Sequence, residues 1–125
     1  NDSKATNVGS VRVALEALSS PLLLIMGGKD KGGDFGELIP LVSSRVKRLF
    51  VLGEAADRLK KVFSRHVWTS RVDSMESAVS HGFRLAREGD AVLLSPGCAS
   101  FDMYADYEHR GEAFKEAVNR LETST

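Results

Sequence analysis

Apolar residues recur along this chain in two alternating rhythms. Val8, Val11, Leu15 and Leu18 fall three or four positions apart and so line one face of a helix. Thr6 stands ahead of them as the expected N-cap, its hydroxyl able to accept from an otherwise unpaired backbone N–H. Pro21 breaks the pattern, and residues 22–26 read LLLIM, a continuous apolar run suited to a strand covered on both faces. The run stops at Gly27-Gly28. A second helix is expected from Gly36 or Glu37 to Arg45, with Phe35, Leu38, Ile39 and Val42 on its buried side. Pro40 falls near its first turn, where a missing N–H is tolerated. Residues 46–52 form a second strand, made less central by Lys47 and Arg48, and residues 54–62 return to helix. Residues 66–69 give a short third strand, read as an edge. Asp73 and Glu76 have capping-box spacing, with Asp in place of the usual hydroxyl residue. The helix they open carries Met75, Val79, Phe83 and Ala86 on its apolar side. Gly89-Asp90 turns into residues 91–94, another buried strand, which ends at Ser95-Pro96-Gly97. In the last helix Tyr107, Gly111, Phe114, Val118 and Leu121 share a stripe, and Glu116 precedes Arg120 by one turn.

Helix and strand patterns that alternate in this way imply βαβ units. The expected fold is α/β, a Rossmann-like three-layer domain with a mostly parallel sheet. At 125 residues the chain fits one domain with a core that needs no disulfide or metal. The first helix has no strand before it and the chain opens at Asn1, so a further segment upstream is expected. Seventeen basic and seventeen acidic residues balance, which argues against a protein living mainly on nucleic acid or an anionic membrane. A local basic patch stays open. The one cysteine, Cys98, fits a reducing compartment. No apolar run nears the roughly 20 residues of a membrane span, and no signal peptide is visible, so a cytoplasmic location is expected.

Ligands of open parallel sheets bind beyond the carboxyl ends of the strands, and two segments there are unusual. Residues 27–35 read GGKDKGGDF. Their glycines permit close approach of a ligand, and Lys29 or Lys31 can reach an anion. The segment is neither GxGxxG nor a Walker A loop. The other reading is a solvated turn. Residues 95–102 read SPGCASFD, small residues ahead of a helix. The N–H groups there, with the Ser100 hydroxyl, can hold an anion; a plain helix cap is the alternative. Cys98 as a nucleophile would need His109 as its base, and a buried inert thiol is the favoured reading. His66, His81 and His109 lack metal-ligand spacing with Cys98. Asp30, Asp34 and Asp102 suit Mg²⁺ by charge, although solvated loop carboxylates are commoner. In the opening NDSKATN, Asp2 can accept from ribose hydroxyls and Lys4 can pair with phosphate, or the segment is a terminus with a cap.

Three segments together, NDSKATN, GGKDKGGDF and LSPGCASFDMYADYEHRG, resemble the C-terminal domain of the Mur ligase family, nearest to its D-glutamate-adding members. The resemblance covers essentially the whole chain. It implies that residues 1–125 are the amino-acid-binding, nucleotide-capping domain of a bacterial ligase of peptidoglycan precursor synthesis. The N-terminal and central ATPase domains would lie outside this chain. The implied reaction is ATP-dependent addition of D-glutamate to UDP-N-acetylmuramoyl-L-alanine. By the same resemblance Lys31, Ser100, Phe101 and Tyr107 bind D-glutamate, while Asp2, Lys4 and Thr6 serve the nucleotide side. ATP and Mg²⁺ would be held mainly by the absent domains, with no metal ligand and no catalytic residue in this one. The enzyme is expected to be a monomer, and the fragment alone to be inactive. Gly97 departs from an alanine common in the family's corresponding segment and is expected to loosen that loop. Tyr104 and Tyr107 stand where phenylalanine is frequent. An isolated anion- or nucleotide-binding α/β module is the alternative function. An oxidoreductase domain lacks its GxGxxG here, and a phospho-acceptor switch lacks its acidic strand end.

Overall fold

The computed structural model describes residues 7–18, 21–29, 32–98 and 107–124, apart from the side chains of residues 107, 109 and 120–124. In order, the elements are α1 (Val8–Ala17), β1 (Leu22–Gly27), a 3-10 turn (Phe35–Leu38), α2 (Ile39–Arg45), β2 (Val46–Leu52), α3 (Ala56–Phe63), β3 (Trp68–Arg71), α4 (Met75–Leu85), β4 (Ala91–Leu94) and α5 (Tyr107–Ser124). The four strands form one sheet in the order β3-β2-β1-β4, and every neighbouring pair is parallel. Side chains of a strand alternate between faces, and the core divides accordingly. Leu22, Leu24 and Met26 of β1 meet α1, α2 and α3 through Val11, Leu15, Val42 and Leu59. Leu23 and Ile25 join Phe50 and Leu52 of β2 against Met75, Val79 and Phe114 of α4 and α5. These are the three layers that the alternating pattern implies.

Strand β2 is an inner strand, although Lys47 and Arg48 suggested a less central place. Its charged residues are accommodated at one end. Leu22 pairs with Val46 and Leu23 with Arg48, so Lys47 is the extra residue of a bulge. Its ammonium lies 2.8 Å from Oδ2 of Asp90. Arg48 sits over the Trp68 ring at 4.7 Å, and Trp68 meets Phe50 edge-on at a centroid distance of 5.8 Å. Strand β4, by contrast, is an edge of the described sheet and its first two residues are only half-buried. The third strand is an edge as expected but begins at Trp68, because the N–H groups of His66 and Val67 turn back to the Phe63 carbonyl.

The Lys47 ammonium, then the Arg87 backbone N–H, hold the Asp90 carboxyl below its ordinary value against the opposing effect of desolvation. A carboxyl with a lowered folded-state pKa adds stability that is present above its unfolded value and lost as pH falls through the folded one. Asp90→Asn is therefore expected to flatten the acid limb of the stability profile and leave its shape above that limb unchanged. Urea midpoints measured from neutral to acid pH check this, and superimposable acid limbs would count against it.

Two helix starts differ from expectation by one residue. Asn7, not Thr6, caps α1: its Oδ1 accepts from Ser10 N at 2.9 Å and from Ser10 Oγ at 3.1 Å. Ser74, not Asp73, caps α4 by accepting from Ser77 N at 3.0 Å. Each true cap has an extended backbone, which aims a short side chain back at the third helical N–H. The buried side of α4 also shifts. Met75, Ala78, Val79 and Gly82 face inward, whereas Phe83 is 47% exposed. A methyl added at Gly82 would already touch Val92 Cγ1 at 3.4 Å, so this glycine is where the helix comes close to the sheet. Among the described residues, no helix is long and apolar enough to cross a membrane.

Candidate functional site

The sheet order sets where a ligand can sit. From β1 the chain moves to β2 and β3 on one side, then returns to place β4 on the other side of β1. The crevice of such a reversal opens beyond the carboxyl ends of the two strands that flank it. Here these are β1 and β4, and the two unusual segments of the sequence leave from them. The segments are joined at their roots. Ser95 N donates to Ile25 O at 3.1 Å and Gly27 N to Pro96 O at 3.1 Å. On the other side Gly28 N donates to Leu52 O at 3.2 Å, and Gly28 O accepts from Ala55 N at 2.9 Å.

Gly27 has a backbone φ of +142°, and a Cβ there would lie 2.0 Å from Leu52 O. No side chain fits this turn, so the glycine follows from the close approach of β1 to β2. Gly97, expected to loosen its loop, has φ +68° and packs closely. A Cβ there would meet Met26 Cε at 3.0 Å and Val11 Cγ2 at 3.2 Å.

Two arginines tie the segments down. Arg110 of α5 is 2% exposed. Its Nη1 donates to the Cys98 carbonyl at 2.8 Å and to the Gly27 carbonyl at 3.3 Å. Arg58 of α3 donates to the Gly33 carbonyl and lies over the Phe35 ring at 4.7 Å. Asp34 accepts from Gly36 N at 3.0 Å and so caps the 3-10 turn. Lys29 is exposed. Cys98 is fully buried with the core residues beneath α1, as the inert reading expects.

Of the sequence-predicted site residues, Asp2, Lys4, Thr6, Lys31, Ser100 and Phe101 lie outside the described residues, as do Asp30 and Asp102. Tyr107 is the first residue of α5, and its side chain also lies outside them. What the structure brings together is therefore the base of the site: the ends of β1 and β4 and the start of α5. Sequence reasoning missed both arginines. Arg110 carried a signal, since a charged residue one turn before Phe114 interrupts the apolar stripe of α5. Nothing in the pattern marked Arg58.

The domain model for the Mur ligase glutamate-ligase domain matches residues 1–98. This chain belongs to the Mur ligase family. Its relatives agree over nearly its whole length. It is 48% identical to the UDP-N-acetylmuramoylalanine–D-glutamate ligase of Syntrophotalea carbinolica over 122 residues, 98% of this chain and 27% of that protein. It is 50% identical to the ligase of the same name from Syntrophus aciditrophicus over 118 residues, 94% of this chain and 26% of that protein. The corresponding ligase of Salinibacter ruber is 47% identical over 122 residues, 97% of this chain and 26% of that protein. This Mur ligase domain thus spans about a quarter of the length of the relatives it matches. The parallel sheet with its flanking helices is the α/β fold that the alternating pattern predicts.

Proposed function

We propose that this chain is the C-terminal domain of an ATP-dependent ligase that joins D-glutamate to UDP-N-acetylmuramoyl-L-alanine in the bacterial cytoplasm. The observation that carries the reading is identity of 47–50% to D-glutamate ligases across 94–98% of the chain. In the proposed reaction ATP transfers its terminal phosphoryl group to the substrate carboxylate, giving ADP and an acyl phosphate. The D-glutamate amine attacks that carbonyl, phosphate leaves, and an amide forms.

In this reading the domain's own work is to bind and orient. D-Glutamate carries two carboxylates, and the crevice between β1 and β4 is bordered by two segments suited to anions. Lys31 would pair with one carboxylate. Ser100 and the Phe101 backbone would hold the other, with Tyr107 lining the site. Such anchoring would fix the amine for attack, a contribution of position rather than proton transfer. Asp2, Lys4 and Thr6 would serve the nucleotide side. ATP and Mg²⁺ would be held mainly by the other domains of the full-length enzyme.

Phosphate release by the full-length enzyme tests the reading. With ATP and UDP-N-acetylmuramoyl-L-alanine present, release is expected with D-glutamate and not with L-glutamate or L-lysine. The 125-residue chain alone is expected to release none. A preference for another amino acid would overturn the substrate assignment.

A further inference from the structure

We infer that Arg110 is a positioning residue for the amino-acid site, setting the separation of the two segments that border it. The inference rests on the function proposed above. The ladder between β1 and β4 runs from Leu22 with Ala91 to Ile25 with Leu94. Beyond it the bonds from Ser95 N to Ile25 O and from Gly27 N to Pro96 O still join the two segments, and Arg110 adds the next link outward. A single guanidinium nitrogen reaches the Gly27 carbonyl on one side and the Cys98 carbonyl on the other. Gly27 leads into the segment that carries Lys31. Cys98 stands just before Ser100 and Phe101. In the sequence, the residues assigned to the two carboxylates therefore come soon after the two residues whose carbonyls Arg110 bridges.

The chemistry of the residue suits this task more than a purely structural one. A buried cation carries a desolvation penalty that an apolar side chain would avoid. The planar guanidinium offers several donors in a fixed geometry, which a lysine ammonium does not reproduce. Its positive charge also lies at the base of a crevice assigned to an amino acid with two carboxylates and a net negative charge, where it favours the ligand at a distance. Arg110 touches neither reactant in this account. It acts through the loops.

The test uses the full-length enzyme with Arg110→Met and Arg110→Lys. Initial rates give separate KM values for D-glutamate, ATP and the UDP-linked substrate, and a thermal melt accompanies each variant. Misplacement of the loops is expected to raise the D-glutamate KM roughly 10–100-fold in Arg110→Met. A smaller rise is expected in Arg110→Lys, with the other two KM values unchanged in both. An unchanged D-glutamate KM, or a parallel rise of all three, would overturn the inference. Should Arg110→Met fail to fold, Arg110→Lys decides; failure of both to fold would assign the residue to stability alone. If the wild-type enzyme prefers another amino acid, the functional reading fails by itself. The same KM comparison with that amino acid then judges Arg110.

Discussion

Gly27→Ala is expected to remove a large part of the domain's stability. Two effects add at this position. The backbone sits at φ +142°, which L side chains rarely adopt, and the new methyl would fall 2.0 Å from the Leu52 carbonyl oxygen. Backbone strain costs of order 1–3 kcal/mol and overpacking a similar amount, so about 2–6 kcal/mol is expected in all. The obstacle is the main chain of β2, which cannot swing aside as a side-chain end would. Gly89→Ala is the matching control, because Gly89 has φ +90° but nothing within 4 Å of its added Cβ. It should show the backbone effect alone, about 1–2 kcal/mol. Urea unfolding of both variants measures the difference. Equal losses would mean that the turn after β1 relaxes and that its closeness to β2 is not fixed.

Lys31→Ala is expected to have the larger effect on function. A charge-assisted hydrogen bond contributes about 1.5–3 kcal/mol, so the full-length enzyme should use D-glutamate roughly 10–100-fold less well. A urea unfolding curve of the variant is expected to match wild type, which separates loss of the carboxylate contact from loss of fold. Lys29 provides the comparison. It lies in the same glycine-rich segment and is exposed, and Lys29→Ala is expected to leave the D-glutamate KM near wild type. Titration of initial rate against D-glutamate distinguishes the two. If neither lysine matters, the segment is a solvated turn.

The layers, the alternation of elements and most of their residues could be read from the pattern of apolar positions, because each strand and helix must bury a face. The β1 run LLLIM was legible for this reason, and the strand is buried throughout. Smaller features escaped where neighbouring residues share the same chemistry. Thr6 and Asn7 can both cap a helix, as can Asp73 and Ser74, and only the backbone angles choose between them. Phe83 was misplaced because a glycine carries no hydrophobic signal: Gly82 takes the position nearest the sheet, and the phenylalanine beside it turns outward. Strand order was not encoded in any one element. That β4 neighbours β1 follows from the complete chain, and with it follows the location of the crevice. At the site, motif resemblance named Lys31, Ser100, Phe101 and Tyr107 individually. Arg110 showed in the sequence only as a charge within the apolar stripe of α5, because its partners, the Gly27 and Cys98 carbonyls, are brought to it by the fold.

The return of the chain from β3 to β4 bears on how the domain is made. Strands β1, β2 and β3 can assemble in the order in which they are synthesised, each beside the last. One edge of β1 then waits for β4, since its partners there run from Ala91 to Leu94. Contacts of such long sequence separation form late and slow a fold down. Until they form, an apolar strand presents unpaired N–H and C=O groups to whatever is nearby. The edge of β1 that is paired last is thus the one that borders the crevice, and the crevice itself is complete only when β4 has joined the sheet.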